Sequence, residues 1–98
     1  MPLPSTPVEF TYLVEYDLKK TKHYTNLITA IQKLNHTKLL LSSWLIRSIY
    51  GAKELNDHLK QFIDSDDVLV VIEVKGDWAT LRADKKTTDW MQKNIITK

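Results

Sequence analysis

The chain contains no cysteine. Disulfides, thiolate nucleophiles and cysteine-based zinc sites are therefore excluded. The absence suits a reducing compartment, and a cytoplasmic location is the expectation. Glycine stands only at positions 51 and 76, so no glycine-rich loop exists to cradle phosphates. No run of about 18 apolar residues occurs, and a membrane span is not expected. Met1 to Thr6 has neither a basic start nor a long apolar run, which speaks against a secretory signal. The only prolines, at positions 2, 4 and 7, mark residues 1–8 as an irregular tail. A net charge of +2 is too small to argue for nucleic acid by itself.

What is present reads as one domain of 98 residues. Apolar residues at 43% and charged residues at 27% are ordinary globular values. A chain of this size buries only about 60–65% of its unfolded surface, so association would help it. Charge is distributed unevenly. Residues 1–17 carry three acids and no base, residues 18–60 carry eight bases against two acids, and residues 61–98 carry six bases against seven acids. A basic middle between acidic ends forms either a phosphate-facing patch or a solvated face.

Phe10 to Asp17 alternates as a strand, with Phe10, Tyr12, Val14 and Tyr16 on one side and Thr11, Leu13, Glu15 and Asp17 on the other. Tyr24, Leu27, Ile28, Ile31 and Leu34 recur at helical steps and predict a helix from about His23 to Leu34, ended by Asn35 and His36. Thr37 to Tyr50 is apolar and rich in strand formers. Ser42 and Ser43 divide it into strands over Lys38–Leu41 and Trp44–Ile49, or else it is one long bent strand. Ala52, Leu55, Leu59, Phe62 and Ile63 make the stripe of a second helix, and Asp64-Ser-Asp-Asp67 reads as a turn.

Val68 to Val74, almost continuously apolar, predicts a central strand buried on both faces. Trp78 to Leu81 is a candidate short strand, and Thr87 or Thr88 a candidate cap for a helix over Asp89–Ile96. The order predicts an α+β fold of ferredoxin-like βαββαβ type, with each crossover joining parallel neighbours. Residues 9–76 would form the core and 77–98 a C-terminal extension of short strand and helix.

The strand ending Tyr16-Asp17-Leu18, the helix after it, Ser42-Ser43-Trp44-Leu45-Ile46, and Asp64-Ser65-Asp66-Asp67 leading into Val68–Val74 occur in a characteristic order. Over roughly residues 9 to 76 this order resembles the CRISPR-associated Cas-two family and its standalone relatives. The VapD-type toxin ribonucleases are more distant kin. The resemblance implies a ferredoxin-like fold and a homodimer, with sheets or C-terminal strands meeting across a two-fold axis. It also implies that Asp17 is the metal-binding acid, one from each subunit. Array-joining members usually carry Gly and Arg or Gln before the serine-containing strand. Here Asn35 to Leu41 offers only Lys38, so a standalone member is the better fit.

Asp17 is accordingly the candidate catalytic and metal-binding residue. Two carboxylates meeting at an axis repel each other, and a divalent cation relieves the repulsion. Magnesium favours a few carboxylates together with water and phosphate oxygens. The competing reading is a strand-ending Asp that accepts backbone hydrogen bonds. Lys19, Lys20 and Lys22 are candidates for phosphate contact, with Lys38 and Arg47 extending the surface. Each has a solvated-face alternative.

His23 could act as a general base. However, His23, His36 and His58 lack metal-ligand spacing and read as surface residues. Ser42 and Ser43 lack an identifiable base and acid. Trp44, Trp78 and Trp90 suit core or dimer packing better than base stacking. The leading expectation is a homodimeric nucleic-acid-associated protein, a candidate magnesium-dependent endoribonuclease or deoxyribonuclease. The alternatives are a non-catalytic dimeric scaffold binding a protein partner, in a toxin–antitoxin or defence setting, and a small regulatory ligand-binding domain.

Overall fold

The computed structural model describes residues 8–19 and 24–96. Four strands, β1 (Phe10–Asp17), β2 (Asn35–Leu40), β3 (Ser43–Ser48) and β4 (Val68–Glu73), form one sheet. Three helices accompany them, α1 (Thr25–Gln32), α2 (Ala52–Lys60) and α3 (Lys85–Asn94). The spatial order is β2-β3-β1-β4 with every neighbouring pair antiparallel. This is the ferredoxin-like α+β arrangement with an added C-terminal helix.

The alternation of β1 decides the two faces. Tyr12 and Val14 turn inward with Trp44 and Ile46 of β3, and Leu27, Ala30 and Ile31 of α1 and Leu55 and Leu59 of α2 close over them. Glu54 reaches back to the Gly51 amide at the start of α2, supplying the half of a capping box that a glycine cap permits. Leu13 and Leu45 face the opposite side and meet Met91 and Ile95 of α3.

Several expectations are corrected. The crossovers β1–α1–β2 and β3–α2–β4 do not join parallel neighbours. In each case another strand lies between, and pairs antiparallel to both. β4 is an edge strand among the described residues, not a central strand buried on both faces. That role belongs to β3, which lies between the α1–α2 layer and α3 and whose Ser43 to Ile46 are all buried.

Asn35 and His36 open β2 instead of ending the helix, because α1 closes at Gln32 and its last turn tightens, with the Leu34 amide donating to Ile31 O. The predicted start of α1 at His23 lies outside the described residues. Regular α2 ends at Lys60, and short-range turns carry Phe62 and Ile63 onto the core as their stripe position predicts. Trp78 to Leu81 is irregular instead of a strand. Without a partner strand, Trp78 serves instead to pack against the α3 cluster. The last helix begins at Lys85, with Asp84 at its N-cap position but giving no side-chain cap, and not after Thr87 or Thr88. Thr87 is instead buried within it, its hydroxyl donating to Lys38 O at 3.0 Å.

α3 is a polar helix held on the sheet by few apolar side chains, so its polar fastenings matter. Arg47 Nη1 donates to Asn94 O at 2.9 Å and to Thr11 Oγ1 at 3.0 Å, and Thr11 Oγ1 donates to the same carbonyl. A cation at the last carbonyls of a helix is favoured by their partial negative charge. Trp90 Nε1 donates to Asn35 Oδ1 at 2.9 Å, and the Gly76 amide donates to Ile96 O at 2.6 Å.

Arg47→Met leaves the Asn94 carbonyl and the Thr11 hydroxyl without their cation. It is expected to lower stability by about 1–3 kcal/mol, read from urea unfolding. Native-state amide exchange should speed up in α3 before α1 or α2.

Candidate acidic corner

The β1–β4 register sets Asp17 opposite Val68, the residue directly after the Asp64–Asp67 turn. One end of the sheet therefore gathers acids from two segments some fifty residues apart. The turn is built by its own side chains. Asp67 Oδ2 accepts from the Asp64 amide at 2.8 Å, and Asp67 Oδ1 accepts from the Lys19 amide at 2.8 Å. Asp67 thus ties the exit of β1 to the entry of β4. Asp64, Asp66 and Asp67 each offer a carboxylate oxygen within 4.8 Å of the others. An all-oxygen donor set of this kind could hold a hard divalent cation, as calcium, magnesium and manganese favour.

Asp17 itself is exposed and paired. Lys19 Nζ lies 2.6 Å from Asp17 Oδ2. The Lys19 ammonium is pushed above its ordinary pKa, first by the hydrogen bond to Asp17 and then by its charge, with Asp66 and Asp67 adding to the effect. That contact is present at neutral pH and is lost as the solution is raised through the elevated lysine value. Lys19 thus partly neutralises a corner that holds four carboxylates.

The remaining candidates are dispersed. Lys20, Lys22 and His23 lie outside the described residues. Lys38 sits on β2, its ammonium 4.4 Å from the centre of the Trp44 ring and 3.1 Å from Leu41 O. Arg47 lies six residues from the Asp17 end along the sheet, about 20 Å at the usual strand rise, and is engaged with Asn94 and Thr11. Of the candidate bases among the described residues, Lys19 meets Asp17, while Lys38 and Arg47 do not.

Ser42 donates to Glu15, and Ser43 is buried in β3. His36 stands edge-on to Trp44, and His58 to Phe62. Trp44 belongs to the core and gives its indole N–H to Tyr16 Oη at 3.1 Å, while Trp78 and Trp90 pack around α3.

The three-acid turn was legible in the sequence only as a turn. Its nearness to Asp17 depends on the long-range pairing of β1 with β4. Away from the corner, a concavity of about 420 Å³ opens between α3 and the β4 side of the sheet. Leu13, Leu45, Val74, Trp78, Met91 and Ile95 are among the residues that line it. It is apolar for the most part and lies on the same side of the sheet as Leu13.

Among the described residues no helix is long and apolar enough to cross a membrane. A divalent cation at the corner must compete with the Lys19 ammonium. Lys19→Gln is therefore expected to tighten Mn²⁺ binding roughly fivefold at low salt, with the gain shrinking as ionic strength rises. Calorimetric titration measures it. No family model matches the chain, and no solved structure matches it.

Proposed function

We propose that this chain is a Cas-two-like, nucleic-acid-associated domain that engages a phosphodiester through a divalent cation held at the acidic corner. The observation that carries the reading is the meeting of Asp17 with the Asp64–Asp67 turn at the β1–β4 end of the sheet. Asp64, Asp66 and Asp67 make the three-carboxylate group, and exposed Asp17 stands beside it at the end of β1. Magnesium is the cation proposed, since it binds through a few carboxylates and keeps sites for water and phosphate oxygens. When bound, such an ion lowers the pKa of its water and steadies charge on a phosphoryl oxygen.

The protein's own part is to set the carboxylates. Asp67 does this by joining two backbone segments, and Lys19 by holding Asp17 in place until a stronger cation replaces it. Because Lys38 and Arg47 are engaged elsewhere, the negative phosphate would be met chiefly by the metal. A reading confined to one chain does not require Asp17 residues from two subunits to converge.

A non-catalytic role as a scaffold or protein-interaction module is the second reading. Exposed Val68, Val70 and Ile72 on β4 favour it. Salt-insensitive capture of a protein partner would support it over nucleic-acid binding, which should weaken steeply with salt.

Incubating the pure protein with end-labelled RNA and DNA, with and without magnesium, tests the leading reading. Magnesium-dependent cleavage is expected, abolished by Asp17→Asn with the far-ultraviolet spectrum unchanged. Cleavage that persists in Asp17→Asn removes that residue from the chemistry. Absence of both cleavage and magnesium-dependent binding overturns the reading.

A further inference from the structure

We infer that the cavity beneath α3 binds a free apolar α-amino acid, with its side chain against Leu45, Met91 and Ile95 and its two charged groups at Lys75 and Asp77. The volume of about 420 Å³ suits a compact ligand, since small-molecule sites run from about 300 to 1,000 Å³. Leu45, Met91 and Ile95 are buried and form an apolar floor, and half-buried Trp78 stands beside them. Met91 can adjust to an occupant, because its thioether chain is unbranched and flexible. None of these residues belongs to the acidic corner, so the inference and the proposed function stand or fall separately.

The rim carries charge of both signs. Strand β4 ends at Glu73, and left-handed Gly76 then turns the chain. Lys75 and Asp77 flank that glycine, and both are exposed residues that line the cavity. Among the described residues neither side chain makes an ion pair or a hydrogen bond. Their Cα atoms are two residues apart, so at most about 7 Å separates them. Glu73 also contributes to the lining. Its side chain, however, shares the α1–α2 face with Leu69 and Val71, where its charge bears on Tyr12. One cation and one anion, close together and unpaired, are left at the mouth of an apolar cavity.

That combination selects the occupant. An apolar acid would meet Lys75 but set its carboxylate against Asp77, and an apolar amine would do the reverse. A zwitterion with both charges on one carbon satisfies both side chains at once. Trp78 adds a donor for the carboxylate. Its indole N–H has no partner among the described residues, whereas those of Trp44 and Trp90 are engaged. With the apolar floor, these groups specify an α-amino acid with a hydrocarbon side chain, such as leucine or phenylalanine.

Titrating the full chain with L-phenylalanine, phenethylamine and 3-phenylpropionate, followed by the indole N–H signals in nuclear magnetic resonance, tests the inference. Phenylalanine is expected to shift the Trp78 signal saturably while leaving that of Trp44 in place. Each analogue lacks one of the two charges and is expected to bind about fivefold more weakly. Asp77→Asn is expected to bring phenylalanine down to the affinity of 3-phenylpropionate, and Lys75→Gln to that of phenethylamine. Both substitutions fall on exposed side chains, so the fold is expected to survive them. No saturable shift at Trp78, an analogue that binds as tightly as phenylalanine, or a ranking unchanged in both variants overturns the inference.

Discussion

The contact between Arg47 and the end of α3 organises more of this molecule than its size suggests. A four-stranded antiparallel sheet with two helices on one face leaves its other face to water. Here a third helix is laid over half of that face, and its apolar contribution is modest, chiefly Met91, Ile95 and the two half-buried tryptophans Trp78 and Trp90. The guanidinium on β3, reaching both Thr11 and the Asn94 carbonyl, fixes where that helix stops. By covering β2, β3 and the Thr11–Leu13 part of β1, α3 turns β3 into the strand buried on both sides and leaves most of β4 and the Asp17 end of β1 open. The acidic corner and the apolar β4 row both lie in the part that α3 does not cover.

That asymmetry explains which parts of the fold could be read from the amino acids. The alternation from Phe10 to Asp17 assigned each β1 side chain to a face, because one face is closed by helices and the other carries Leu13 toward α3. The stripe through Leu55 and Leu59 likewise located a helix whose contacts are strictly one-sided. β4 was misplaced for a physical reason. A continuous apolar run has the same composition whether it is buried twice or is half-buried at the edge of a sheet. α3 was clipped at its start because Lys85 to Asp89 is polar, and its position depends on hydrogen bonds to Lys38, Asn35 and Thr11 that no local pattern announces.

The candidate site shows the same division. Asp17 could be singled out as the acid ending the first strand, and Asp64 to Asp67 as a turn. Their union rests on the β1–β4 register and on Asp67 accepting the Lys19 amide. Arg47 and Lys38, grouped with Lys19 because all are basic, are separated by the sheet and occupied by local partners. Charge counted along a chain says little about charge summed over a surface.

Between β4 and α3 the backbone runs from Val74 to Asp84 without regular structure, passing through left-handed Gly76 and Arg82. The entropic cost of closing such a tether grows only slowly with its length, about 0.6 kcal/mol for each doubling. α3 is therefore positioned by its landing surface and not by the path that delivers it. A protease cut near exposed Leu81 would sever the covalent link while leaving the helix's fastenings to the sheet intact. The two pieces would then behave as a non-covalent complex, whose integrity would depend on concentration where that of the uncut chain does not.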